Sequence, residues 1–133
     1  MNKILRLWLP AFAWAYLIYV VSSIPSLNTG WGIYDLILRK IAHITEYYVL
    51  AALIYRALKG TFVKFIPFYL FAISFTASFL YAVSDEVHQL YVFGRSGTRR
   101  DLAFDTLGII IFFIILKLNK PKRSNQCSLK IPR

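Results

Sequence analysis

Three short clusters hold every acidic residue of the chain and both of its histidines: Asp35 with His43 and Glu46, then Asp85, Glu86 and His88, then Asp101 and Asp105. Each cluster lies at one end of a strongly apolar segment. Carboxylates and imidazoles gathered in this way suit proton transfer or a divalent cation. With an arginine beside them they suit recognition of an anionic group. An ionisable side chain in apolar surroundings is costly, and by default it marks a functional site.

The spacings sharpen the picture. In RKIAHITEYYVL, Arg39, His43 and Glu46 fall at i, i+4 and i+7, one stripe of a helix. At about 1.5 Å rise per residue, Glu46 lies roughly 16 Å below Asp35, near the middle of an apolar layer about 30 Å thick. These residues read either as a working proton or ligand site, or as a hydrogen-bonded pair that locks helix packing. In SDEVHQ, Asp85 and Gln89 are i, i+4, while Asp85 with His88 and Glu86 with Gln89 are i, i+3. Acid–base work or metal binding stands here against a solvated helix end that bonds water and arginines. In GRSGTRRDLAFDTLG, Gly94 and Gly97 make a tight turn, and Asp101 is a site residue or a helix cap. Asp105 lies one turn deeper, and Gly108 permits close helix approach. Arg95 can hold a phosphate or a carboxylate, or clasp Asp85, Glu86 or Asp101. The candidate set, catalytic or binding, is therefore His43, Glu46, Asp85, Glu86, His88, Gln89, Arg95, Asp101 and Asp105. A phosphate-cradling glycine loop, a nucleophile elbow and an HEXXH pattern are all missing from the sequence.

The elements that must position these residues follow from composition. The 133 residues are 58% hydrophobic, against roughly 45–50% in ordinary globular chains. Four apolar stretches, 7–24, 36–57, 65–84 and 101–118, are each long enough for a bilayer core of about 30 Å. The expected fold is all-α, a four-span transmembrane helical bundle over residues 7–118 with a polar site on its outer face. Pro10 falls near the start of the first span and Pro25 stops it. Asp35 caps the second span, which ends at Arg56 before Gly60 breaks the chain. Pro67 lies in the first turn of the third. Trp8, Trp31 and Tyr34 are placed as interfacial aromatics. The first span exceeds the 7–15 apolar residues of a signal peptide, which favours a retained anchor.

The net charge of +10 would suit nucleic acid, but the distribution excludes that reading. Eleven basic residues, namely Lys3, Arg6, Arg56, Lys59, Lys64, Lys117, Lys120, Lys122, Arg123, Lys130 and Arg133, fall at alternate connections and the termini. Positive-inside placement then puts both termini in the cytoplasm, an N-in/C-in multi-pass protein of the cell membrane. Arg39, Lys40, Arg95, Arg99 and Arg100 fall on the outer side with all six acids. Residues 119–133 form a basic cytoplasmic tail, for which disorder and affinity for anionic lipid are expected. Cys127, the only cysteine, cannot form an internal disulfide and excludes a cysteine-based metal site.

At these residues the chain resembles the VanZ-like membrane proteins. The likeness rests on SSIPS at the end of the first span, on Asp35 followed by RKIAHITEYYVL, on YAVSDEVHQLYVFGR, and on DLAFDTLG, and it covers residues 7–118. Phe93 stands where the family often has proline before Gly-Arg. The resemblance implies a multi-span inner-membrane protein with its polar positions at His43, Asp85, Glu86, His88, Gln89, Arg95, Asp101 and Asp105, and Tyr47 beside them. It also links the chain by family name to resistance toward teicoplanin-type glycopeptides. Three functions follow as expectations. The first is a membrane protein that engages membrane lipids, an anionic envelope lipid head group or a lipoglycopeptide. The second is a membrane-embedded enzyme on such a lipid, with His88 as acid/base, Asp85 and Glu86 orienting it or holding a metal, and Arg95 on the anionic group. The third, more distant, is a proton-linked transporter using Glu46. No metal, cofactor or oligomeric state is fixed by the sequence.

Overall fold

The computed structural model describes residues 2–25, 32–95 and 97–119, all of them helix, turn or short connection with no strand. Four helices follow one another: α1 Lys3–Ser22, α2 Ile33–Thr61, α3 Pro67–Gln89 and α4 Arg99–Leu118. Their ends obey local chemistry. α3 opens on Pro67, whose missing N–H is harmless at the first helical position. α4 opens on a reciprocal cap in which the Thr98 hydroxyl oxygen accepts from the Asp101 amide at 3.2 Å and its O–H donates to the Asp101 carboxylate at 2.9 Å. α2 begins just after Gly32, whose φ of 59° is left-handed backbone that glycine adopts freely.

Contacts between distant residues fix the direction of each helix. At one end the Trp8 indole N–H donates to the Thr61 hydroxyl at 3.0 Å, and the bare Cα of Gly60 sits against Leu7. At the other, Ser23 meets His88 and His43 meets Asp105. The chain therefore runs up, down, up, down, and α2 and α4 lie side by side in the same direction. Their interface is the most extensive in the molecule. Gly108 makes it possible, because a Cβ there would come to 2.2 Å from the Ile44 carbonyl oxygen. The core beneath holds Ile18, Tyr47, Leu50, Ala51, Ala82, Ile109, Phe112 and Phe113. Rings interlock edge to face, as with Phe71 and Phe113 at 4.3 Å between centroids.

Much of the outside is apolar. Only Ala11, Ile18 and Ser22 of α1 are buried, while Leu9, Phe12, Tyr16 and Leu17 are exposed. α3 likewise presents Phe68, Tyr69 and Leu80 outward. Apolar surface this extensive needs a cover. Both α1 and α3 are long and apolar enough to cross a membrane. α2 and α4 carry Asp35, Arg39, Lys40, Glu46, Asp101 and Asp105 along their own length, and α3 carries Asp85 and Glu86 in its last turns.

Several helix ends differ from expectation. α1 starts at Lys3, so Pro10 lies within the helix rather than in its first turn. α2 starts before Asp35, which stands in the first turn and not at the cap position. Its acid still faces the positive end of the helix dipole there. α2 also continues through Gly60 to Thr61, because packing on Leu7 outweighs glycine's weak helix preference. The end of α3 agrees with expectation, since the helix runs through the whole SDEVHQ segment as the i, i+3 and i, i+4 spacings there require. Trp31, Cys127 and the tail from Lys120 onward lie outside the described residues.

Candidate functional site

Four helix ends converge at the pole that carries all the acids: the C-terminal ends of α1 and α3 and the N-terminal halves of α2 and α4. The Arg39, His43, Glu46 stripe of α2 faces inward there, and all three residues line one cavity of about 250 Å³. Ser22, Asp35, Asp85, Gln89 and Arg95 complete its polar lining, and Val21, Leu38 and Ala42 form an apolar wall. A second cavity of about 320 Å³ lies beside it, lined by Asp35, Arg39, Lys40, Thr98, Arg100 and Asp101. Asp35 and Arg39 belong to both.

Each polar residue has a definite neighbour. His43 Nδ1 and Asp105 Oδ1 are 2.7 Å apart, joining α2 to α4 in a buried pair; Asp105 is wholly buried. Asp85 accepts from the Gln89 amide at 3.0 Å, the i, i+4 contact the spacing predicts. Glu86 points to the other side of α3, where its Oε2 accepts from the Thr98 backbone N–H at 2.8 Å. Glu46 is half-buried on the cavity wall, and its backbone carbonyl accepts from the Trp14 indole at 2.9 Å. Three buried side-chain oxygens have no partner among the described residues: Tyr47 Oη, Glu86 Oε1 and Asp105 Oδ2.

Two residues take partners that sequence spacing did not indicate. Arg95 donates to the backbone carbonyls of Ile24 at 3.0 Å and Val21 at 2.8 Å. It therefore clasps the end of α1, not Asp85, Glu86 or Asp101, and its charge complements the negative end of that helix dipole. Burial lowers its pKa from the ordinary guanidinium value and nearby Arg39 adds to this, while Asp85, Glu46 and Glu86 oppose the shift. His88 bonds Ser23 through Nε2 at 3.0 Å and packs on the Tyr19 ring at 4.8 Å between centroids. It is turned toward α1 and does not line either cavity, so it stands apart from the carboxylates expected around it. Asp101 is the cap partner of Thr98 and also lines the second cavity.

Sequence reasoning missed Thr98 and Gly97 as supports of the site. A Cβ on Gly97 would come to 2.2 Å from the Glu86 carbonyl oxygen, so only glycine lets this connection press on α3 and deliver the Thr98 N–H to Glu86. The TRRD cap pattern was a usable signal for Thr98; nothing local marks Gly97 as a contact. Arg39 was visible in the stripe but not counted among the site residues.

A family model described as VanZ/LLP1 matches residues 3–120. Neither a curated protein nor a solved structure matches the chain.

Proposed function

The chain belongs to the VanZ/LLP1 family, and from that premise, with its two membrane-length helices, we propose that it is a four-span inner-membrane protein, N-in and C-in. Its polar pole opens at the outer leaflet and binds the head group of an anionic envelope lipid. One observation carries this reading: Arg39 and Arg95 share a cavity of about 250 Å³ with an apolar wall. Cavities that enclose whole drug-sized ligands run to about 300–1,000 Å³, so this one suits a head group whose tails stay outside. Guanidinium groups match phosphate oxygens in the planar fork that lysine lacks. Lys40 and Arg100 extend the positive rim in the neighbouring cavity. Asp35, Glu46 and Asp85 in the same wall would repel a bare anion, and they accept instead from hydroxyl groups. The favoured ligand therefore combines a phosphate with a hydroxyl-bearing head. A lipoglycopeptide, which joins an acyl tail to a sugar-bearing peptide head, offers the same hydroxyl groups with a carboxylate in place of the phosphate, and this is how we connect the site to teicoplanin-type resistance.

Support for the topology comes from charge. Lys3, Arg6, Arg56, Lys59, Lys64 and Lys117 cluster at the pole away from the acids, the pattern of a cytoplasmic face. The test is to purify the protein from its membrane in mild detergent and identify retained lipid by mass spectrometry. Anionic lipid enriched over its share of the membrane is the expected result, reduced in Arg39→Gln and Arg95→Gln. Lipid in bulk proportion, unchanged in both variants, would sink the proposal.

A further inference from the structure

We infer that His43, Glu86 and Asp105 form a binding site for a divalent transition-metal cation of the zinc or manganese class, in the seam between α2, α3 and α4. One residue comes from each of the three helices, all three are buried, and each offers a ligand atom within 4.8 Å of the others. Nitrogen and oxygen ligands about 2.0–2.2 Å from a zinc ion lie up to roughly 4 Å from one another, so small side-chain adjustments close the set.

The unpartnered oxygens are a second and independent sign. Each carboxylate spends one oxygen on a neighbour, Glu86 Oε2 on the Thr98 amide and Asp105 Oδ1 on His43. The other oxygen of each, Glu86 Oε1 and Asp105 Oδ2, is buried without a hydrogen bond among the described residues. Glu86 is 7% exposed and Asp105 0%. Buried acceptors left in this state are costly, and two of them in one seam ask for a shared electrophile.

Charge gives the identity of that electrophile. Two carboxylates and a neutral imidazole carry −2, which a divalent cation cancels, leaving a neutral assembly where a bare charge would be expensive. One imidazole nitrogen with carboxylate oxygens and no thiolate fits zinc or manganese, whereas calcium prefers an all-oxygen shell and copper(I) soft sulfur. Binding through His43 Nδ1 would displace the proton that atom shares with Asp105 Oδ1, while Asp105 Oδ2 and Glu86 Oε1 would supply the oxygen ligands. Three protein ligands leave a coordination position open, as in catalytic zinc sites. His43 also lines the cavity of about 250 Å³, which supplies an entry path. The inference stands independently of any lipid ligand.

The test uses the full chain in detergent, stripped with chelator, dialysed against zinc or manganese chloride, and measured by elemental analysis. A stoichiometric ion is expected in the wild type. Glu86→Gln and Asp105→Asn should each weaken it at least about 10–100-fold, the loss found when a residue that merely supports a ligand is removed. His88→Gln, an imidazole outside the seam, should retain the ion. Should Asp105→Asn fail to accumulate, Glu86→Gln decides, and cobalt(II) absorption bands in the wild type give a readout that needs no variant. No stoichiometric ion in the wild type, or unchanged binding in the carboxamide variants, would overturn the inference and leave the two oxygens to protons or water.

Discussion

His43 and Asp105, 2.7 Å apart and buried, show how much chemistry was readable residue by residue. Periodicity put Arg39, His43 and Glu46 on one stripe, and they line one cavity. It also paired Asp85 with Gln89 correctly. Sequence spacing cannot reveal a partner on another helix, however, so the His43–Asp105 link emerges only in three dimensions. The hydrogen-bond partners of Arg95 and His88 were not legible for a related reason. Their acceptors are backbone carbonyls and a serine hydroxyl at the end of α1, groups that carry no sequence signature. The pair permits a direct prediction. Asp105→Ala strips the buried His43 of its partner and should destabilise the protein by about 3–5 kcal/mol, the usual cost of removing one member of a buried pair. Asp105→Asn keeps a hydrogen-bonding group and should cost less. Denaturant unfolding of the detergent-solubilised variants measures both, and equal losses for Ala and Asn would show that the hydrogen bond is not what matters.

Among the elements, α2 and α4 dictate the site, because their parallel seam brings His43 to Asp105 and Ile44 to Gly108. All four helices were legible from hydrophobic runs, and Gly108 as a close-approach position was legible from the small residue itself. Helix ends were less so. Pro10 and Gly60 both fall inside helices, since packing against neighbours overrides the local preferences on which end-signals rely. Gly108→Ala drives a Cβ to within 2.2 Å of the Ile44 backbone oxygen, and backbone cannot rotate aside as a side chain does. We expect a loss of at least about 1–3 kcal/mol, the range for overpacking a tight interface, and weaker ligand binding at the displaced His43. Retained stability and binding in Gly108→Ala would mean that α2 and α4 are not so closely apposed.

For the whole molecule, the apolar exterior and the segregation of charge to opposite poles make one account. Family membership and the membrane-length helices α1 and α3 mark a membrane protein, and a labelling experiment reads its orientation. Phe93, 87% exposed at the acidic pole, offers a position for a thiol probe in a background where Cys127 is replaced by serine. Phe93→Cys should react with an impermeant maleimide added to intact cells; reaction only after permeabilisation would reverse the topology. The central claim is that the cavity between Arg39 and Arg95 selects an anionic head group. Its most direct measurement is the dissociation constant of a short-chain phosphatidylglycerol against its phosphatidylcholine counterpart, for the purified chain and for the Arg39→Gln, Arg95→Gln double variant. The account predicts at least about tenfold preference for the anionic lipid, worth roughly 1.4 kcal/mol, and its loss in the double variant. Equal affinity for the two lipids, or a preference that survives both substitutions, would contradict it.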